Sequence, residues 1–166
     1  KENGWAAVSI RAVASRCSVS AGTIYNYYES KADLLSDTIE SIWHEIFFHP
    51  EDEQVFHDVE SCISWIYERL EYGNRQFPGF FSLHSFGFMR DEKTSGKKRM
   101  MKTWGHILNG LCEVLGNDPK VRADVFDQEF TEKKFADILF SLILVSMIRQ
   151  DYDPSSVLML VKKTLY

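Results

Sequence analysis

A group of hydrogen-bonding and aromatic side chains lies near the amino end of the chain. In order, these residues are Ser20, Ala21, Gly22, Thr23, Tyr25, Asn26 and Tyr27. On a helix, most of them face outward, where a segment that needs only solubility carries Lys, Glu and Gln. The amide of Asn26 can pair with the edge of a base, and hydroxyl and phenol groups can hydrogen-bond to phosphate. Exposed groups of these types indicate a recognition surface.

Two short helices joined by a tight turn are predicted to position these side chains. Ser9 can cap a first helix with apolar residues at three- and four-residue spacing, namely Ile10, Val13, Ala14 and Cys17. The serines of the next three residues interrupt the pattern, and Val19 is expected to fill the space between the helices. Ser20 is expected to cap a second helix from Ala21 to Tyr28. This arrangement is a helix-turn-helix, which indicates DNA binding.

A third helix is predicted to follow at once. Ser30 and Asp33 form the capping box typical of a helix start. Apolar residues continue at helical spacing to about Phe48, where a His-Pro pair ends the helix. Because this helix begins beside the outward side chains and ends several turns away, we expect it to link two domains. The first covers residues 1–36 and is a DNA-binding domain, and the second covers residues 37–166.

The stretch from Val19 to Leu35 resembles the DNA-binding signature of the TetR family of bacterial transcriptional regulators. The matching residues are Val19, Ser20, Gly22, Thr23, Ile24, Tyr25, Tyr27, Tyr28, Ser30, Lys31, Leu34 and Leu35. The family often has Phe where this chain has Tyr28. It also often has Ala-Gly before the Val-Ser pair, where this chain has Cys17 and Ser18.

The resemblance implies a role for each outward residue. The second helix would lie in the major groove of DNA, braced by the first. Thr23, Tyr25 and Tyr27 would touch phosphates or base edges, and Lys31 would touch a phosphate. The variable positions that tune sequence preference are Ala21, Gly22 and Asn26, next to the cap residue Ser20. Packing within the small domain is the alternative explanation for the two tyrosines.

Charge and composition agree with a small DNA-binding domain on a larger body. The net charge is −5, but residues 1–36 carry a slight positive excess, so the acidic balance lies in the rest of the chain. With 166 residues and 45% apolar content, the chain can hold a sizeable core. Residues 4–7 are expected to be the end of a first helix and its turn, so the first domain is predicted to be incomplete.

The body is predicted to be helical throughout, which makes the fold all-α. Apolar residues recur at helical spacing over about residues 54–72 and 97–115. Between them, phenylalanines spaced three and four residues apart over residues 77–88 predict a short helix with a bulky face. Two further helices are predicted at about 131–149 and 154–165. The first of these is apolar around nearly its whole circumference, so we expect it to pair with its neighbour and a second copy. A buried core within one chain is the alternative.

Aromatic and methionine side chains in the body predict a ligand pocket. Ordinary core packing is the alternative for each side chain taken alone, whereas the resemblance implies a body that holds an inducer between its helices. The predicted lining residues are Trp65, Phe81, His84, Phe88, Met89, Trp104 and Leu108. Among them His84 can fix the orientation of a ligand. The expected effector is a small apolar or aromatic molecule.

The remaining reactive side chains argue against other classes of function. The cysteines, Cys17, Cys62 and Cys112, lie in apolar helical patterns and are predicted to be reduced and buried, as in a cytoplasmic protein. No His or Cys pair has zinc-site spacing, and no nucleophile lies beside a credible base, so no metal, cofactor or enzyme activity is expected. The longest apolar stretch, residues 138–148, is too short to span a bilayer.

These patterns predict a transcriptional regulator that binds double-stranded DNA. By the resemblance to the TetR family, the favoured form is a ligand-responsive repressor, acting as a homodimer on a near-palindromic operator. One alternative is a constitutive or architectural DNA-binding protein without an inducer. A less favoured alternative is an enzyme or protein-interaction module that uses the aromatic pocket.

Overall fold

The computed structural model describes residues 9–48, 56–81 and 95–166, and for residues 95–103 it describes the main chain only. These parts of the chain contain seven α-helices and no strand. The helices are α1 (Ile10–Arg16), α2 (Ala21–Tyr25), α3 (Lys31–Phe47), α4 (Val59–Gln76), α5 (Ser95–Asn117), α6 (Glu132–Arg149) and α7 (Ser155–Leu165). The all-α prediction is confirmed.

Most of these helices begin at a residue whose side chain caps them. The Oγ atoms of Ser9, Ser20 and Ser30 accept the backbone N–H three residues on, at 3.2, 3.1 and 3.2 Å. Asp58 caps α4 in the same way at 2.8 Å, and Thr131 caps α6 at 3.3 Å. Since capping is a local interaction, these starts can be predicted from the sequence.

Two predicted helix boundaries are wrong. Helix α2 ends at Tyr25 instead of Tyr28, because the chain tightens there: the N–H groups of Tyr27 and Tyr28 both bond to the Ile24 carbonyl at 3.0 Å. Helix α4 starts at its Asp58 cap and runs to Gln76, past the predicted end at residue 72. Of the predicted aromatic helix over residues 77–88, most lies outside the described residues.

Helix α1 ends in a left-handed residue that is not glycine. Ser18 has φ 57°. Its N–H bonds to the Ser15 carbonyl at 3.2 Å, and the Val19 N–H bonds to the Ala14 carbonyl at 3.0 Å, which is a Schellman motif. Gln150, with φ 54°, ends α6 in the same way. Val19 itself is 41% exposed, so the prediction that it fills the space between the helices is wrong.

The core lies where the second half of α3 packs with α4 and α5, where α6 packs on α5, and where α7 packs on α4. Close approach of α3 to α4 depends on Gly73, because a Cβ atom there would lie 2.6 Å from Cδ1 of Ile46 and 3.0 Å from Cζ of Phe81. Both neighbouring side chains are buried. Tyr67 links α4 to α6 through a hydrogen bond between its hydroxyl and that of Ser146, at 2.8 Å.

A buried carboxylate joins the start of α4 to the end of α7. Asp118 accepts the Val59 N–H at 2.9 Å and the Tyr166 hydroxyl at 2.5 Å through Oδ2, and the Lys120 N–H at 2.9 Å through Oδ1. Lys120 also pairs with the capping carboxylate of Asp58 at 3.2 Å. The three donors satisfy a charge that would otherwise be costly to bury.

The three cysteines differ in exposure. Cys62 is buried, and desolvation raises the pKa of its thiol to about 12. Cys112 is partly exposed, and burial is the main cause that raises its pKa. Cys17 is exposed, which corrects the prediction that it is buried, because the tight turn after α1 directs the end of the helix toward solvent.

Candidate nucleic-acid interface

The helix-turn-helix is built on a small packed contact between α1 and α2. Ile10 and Ala14 are buried on α1, and α2 contributes the half-buried Ile24 to the contact. No residue of α2 is fully buried. Helix α2 therefore contributes one side to packing and leaves the rest of its surface open.

The outward side of α2 and the following turn carries the predicted recognition residues. Tyr25 is 56% exposed and Tyr27 is 79% exposed. Packing within the small domain, the alternative considered for these side chains, does not account for such exposure. Of the other predicted contacts, Ser20, Gly22 and Asn26 are exposed, and Ala21, Thr23 and Lys31 are half-buried.

Thr23 and Gly22, in the first turn of α2, differ in their contacts with the rest of the chain. The Thr23 hydroxyl lies 2.9 Å from the Ser20 hydroxyl, so the two share a hydrogen bond at the helix start. Gly22 has open space around it, since the nearest atom to an added Cβ is Ser20 Oγ at 3.6 Å. The packing of the chain does not require glycine at this position. A requirement for glycine would come from a molecule outside the chain that approaches the backbone.

The charges around this surface are sparse and mixed. Arg11 and Arg16 are exposed on α1, and Lys31 begins α3. Glu29 is exposed and Asp33 is half-buried close by. The slight positive excess can support phosphate contacts but not strong nonspecific binding.

Helix α3 connects this surface to the body. The Tyr28 hydroxyl donates a 2.8 Å hydrogen bond to Oδ2 of Asp37 on α3. At the other end of α3, Arg69 of α4 donates to the carbonyls of Ile46 at 2.5 Å and Glu45 at 3.3 Å. Neither interaction is predictable from the sequence, because partners separated by nine and by more than twenty residues leave no periodic signal.

An apolar cleft lies between α3, α4, α5 and α6. Its empty space is about 280 Å³, part of which is open to solvent. The lining side chains leave room for about one water molecule, far less than the roughly 300–1,000 Å³ of a typical ligand pocket, so a small molecule fits only if the helices move apart. The lining residues are Trp43, Phe47, Ile66, Leu70, Trp104, Ile107, Phe140, Ile143, Leu144 and Met147. None of them is charged.

The predicted pocket residues are only partly brought together in this cleft. Trp104 lines it, but Trp65, Phe81 and Leu108 are not among its lining residues. Phe81 is 1% exposed, with its ring near those of Trp43 and Tyr152, and Trp65 meets the rings of Phe47 and Phe56 edge-on. The remaining three predicted residues, His84, Phe88 and Met89, lie outside the described residues.

Two other kinds of site are absent from the described residues. Over residues 9–48, 56–81 and 95–166, no three His, Cys, Asp or Glu side chains are grouped so as to hold a metal ion. Within the same ranges, no helix has both the length and the apolar character needed to cross a bilayer.

A helix-turn-helix with an outward recognition surface, set on a helical body, defines a class of DNA-binding proteins. Comparison with known proteins narrows the class. Residues 1–38 match the family model described as bacterial regulatory proteins, tetR family. This part of the chain is thus similar to the DNA-binding domain of the TetR regulators, which supports a DNA-binding transcriptional regulator. No curated protein and no solved structure matches the chain.

Proposed function

We propose that the chain is a homodimeric repressor that releases DNA when a small apolar molecule enters its body. Residues 1–36 form the DNA-binding domain and residues 37–166 the effector-binding and dimerisation domain. The observation that carries the proposal is the course of α3, whose start lies beside the exposed recognition surface and whose later residues Trp43 and Phe47 line the cleft. One rigid helix thus belongs to both regions.

The recognition surface is proposed to enter the major groove of DNA. Tyr25 and Tyr27 contact phosphates or base edges, and the Asn26 amide pairs with a base edge. Thr23 and Lys31 contact phosphates, and the start of α2, at Ser20, Ala21 and Gly22, approaches the DNA closely. The exposure of both tyrosines supports these roles.

The dimer is proposed to form through a second apolar face on α6 and α7. Helix α6 buries one stripe in its own core, and on the opposite side Ile138, Val145 and Ile148 are 44%, 44% and 45% exposed. On α7, Met159 is 59% exposed and Leu160 is 38% exposed. Two helices from each copy can bury these faces as a four-helix bundle.

Two-fold symmetry gives the dimer two recognition helices. Their spacing on DNA would be about one helical turn, roughly 34–36 Å, which fits a near-palindromic operator.

The effector is proposed to be an uncharged, apolar or aromatic molecule. All ten lining residues of the cleft are apolar or aromatic, and a charged group there would lose its hydration without a partner. A ligand larger than the present cleft would press on Trp43 and Phe47 and favour a different position of α3. Release of DNA then follows from the difference in ligand affinity between the two positions.

The DNA-binding part can be tested with a duplex selected by the full chain from a randomised library. Fluorescence anisotropy should show that Tyr27→Ala and Lys31→Ala weaken binding. For Lys31→Ala, the slope of log affinity against log salt should fall by about 1. Lys133→Ala, at an exposed position on α6, is the matched control and should bind like the unmodified chain. Unchanged binding in both test variants would show that the surface has been misplaced.

The dimer can be tested by light scattering after gel filtration. Val145→Glu places a charge in the proposed interface and should yield monomers, whereas Lys133→Glu lies away from the stripe and should leave the dimer intact. A monomeric unmodified chain would contradict the dimer.

The effector site can be tested by tryptophan fluorescence with a panel of uncharged aromatic compounds. Trp43 and Trp104 line the cleft and Trp65 does not, so a bound compound should alter the emission of a Trp65→Phe variant but much less that of a Trp43→Phe, Trp104→Phe variant. The same compound should restore expression of a reporter that the chain represses. If no compound is bound, a constitutive DNA-binding protein becomes the better description.

A further inference from the structure

Tyr28 connects the recognition segment to α3 through its hydroxyl group. The donor-acceptor distance to Oδ2 of Asp37 is 2.8 Å. Tyr28 lies after the last turn of α2, next to the highly exposed Tyr27, and Asp37 lies in the second turn of α3. The bond therefore joins the segment that follows α2 to the second turn of α3, independently of the backbone between them.

The hydroxyl group at this position is a feature of this chain. The family signature that residues 19–35 resemble often has phenylalanine where Tyr28 stands, and a phenylalanine ring can pack but cannot donate a hydrogen bond. The bond to Asp37 also raises the pKa of the Tyr28 phenol above its ordinary value. Since the ordinary value is near 10, the hydroxyl remains a donor at neutral pH.

The hydrogen bonds at the two ends of the connection are local. The recognition segment ends with the N–H groups of Tyr27 and Tyr28 bonded to the Ile24 carbonyl, and α3 starts with the Ser30 cap. These bonds order each end of the connection locally. Tyr28 lies within the connection, and its hydroxyl bond ties this segment to the second turn of α3, so it restricts the rotation of the recognition segment about α3.

We propose that the Tyr28–Asp37 hydrogen bond positions the recognition helix against α3 and so increases affinity for specific DNA. Tyr28 is a positioning residue, because it acts through the neighbouring side chains that meet the DNA. The inference rests on the proposed function of the recognition surface. Without the bond, a smaller fraction of molecules holds the competent angle, and the apparent affinity falls by that fraction.

The expected loss is modest because the bond is partly exposed. A hydrogen bond of this kind corresponds to about a three- to tenfold change in an equilibrium, so Tyr28→Phe should weaken binding to the selected duplex by about that factor. Binding to a random duplex depends mainly on phosphate contacts and should change by less than about twofold. The measured quantity is therefore the ratio of the two affinities.

A double-mutant cycle on the full chain separates positioning from direct contact with DNA. Tyr28→Phe, Asp37→Ala and the double variant are compared with the unmodified chain on the selected and random duplexes. If the two residues act through their bond, the affinity ratio falls to a similar extent in all three variants. Asp37→Asn keeps an acceptor oxygen and should retain most of the ratio. Tyr72→Phe, on α4, is the matched control and should have no effect.

Three results would overturn the inference. The first is that Tyr28→Phe reduces the ratio equally with and without Asp37, because the hydroxyl would then contact DNA itself. The second is an unchanged ratio in Tyr28→Phe, and the third is a fall of the thermal midpoint by more than about 6 °C, which exceeds the loss of one hydrogen bond and would indicate a general loss of stability. Failure of the unmodified chain to select any duplex is a separate outcome, which would refute the proposed function.

Discussion

Replacing Ser18 by glycine is expected to stabilise the turn that holds the recognition helix. Ser18 must adopt φ 57° for the two Schellman hydrogen bonds at the end of α1 to form. A left-handed conformation costs an L-residue about 1–2 kcal/mol because Cβ approaches the following carbonyl oxygen. Glycine avoids that contact but loses about 0.5–1 kcal/mol more conformational entropy on folding. The balance favours Ser18→Gly by about 0.5–1 kcal/mol.

The assay is thermal unfolding, with hydrogen exchange of the α1 and α2 amides to localise the effect. For a chain of this length, the predicted gain corresponds to a rise in the midpoint of about 1–4 °C. Gln150→Gly, at the equivalent position after α6, should raise the midpoint in the same way. Ser15→Gly, on the exposed side of α1, should lower it, because its backbone is already helical.

The reasoning would be refuted if Ser18→Gly lowered stability while Gln150→Gly raised it. That result would mean that the serine side chain stabilises the turn by more than its backbone conformation costs. Specific DNA affinity should change by less than about twofold, because glycine keeps the same turn geometry and removes no proposed DNA contact.

Two substitutions and one chemical modification test the packing of the chain. Gly73→Ala places a Cβ 2.6 Å from Ile46 Cδ1 and should destabilise the chain by about 1–3 kcal/mol in urea unfolding, with partial recovery when Ile46→Val is added. Asp118→Ala leaves the buried donors around it without their acceptor and should cost about 1–3 kcal/mol, whereas Asp118→Asn, which keeps one acceptor oxygen, should cost less. At pH 8, a thiol reagent should modify the exposed Cys17 quickly but Cys62 only on unfolding. The reason is that a pKa of about 12 keeps the buried Cys62 thiol protonated. Rapid reaction of Cys62 in the folded chain would contradict its burial.

The parts of this structure that sequence predicts are those fixed by neighbouring residues. The caps at Ser9, Ser20 and Ser30 depend on contacts three residues away, and the apolar spacing of the long helices depends on their own periodicity. The exposure of Tyr25 and Tyr27 also follows from helical spacing, because only one side of so short a helix can be packed. Fold class and the exposure of these two tyrosines could therefore be predicted.

The parts that sequence does not predict depend on contacts between distant residues. Phe81 is an aromatic residue of the kind that often lines pockets. Its ring is enclosed near Trp43 and Tyr152, so it belongs to the core. The cleft is instead lined by residues such as Phe47 and Phe140, which share no motif. Their common location is set by the packing of four helices, which no local pattern specifies.

Arg69 donates hydrogen bonds to two carbonyls at the end of α3 and so holds that end of the helix against α4. Helix α3 has 17 residues. At a rise of 1.5 Å per residue, its far end beside the proposed DNA-binding surface lies about 25 Å from the end that Arg69 holds. A tilt of about 5° about the held end would sweep the far end through about 2 Å. Since hydrogen bonds weaken over a few tenths of an ångström, a small shift inside the body would be enough to break the proposed contacts with DNA.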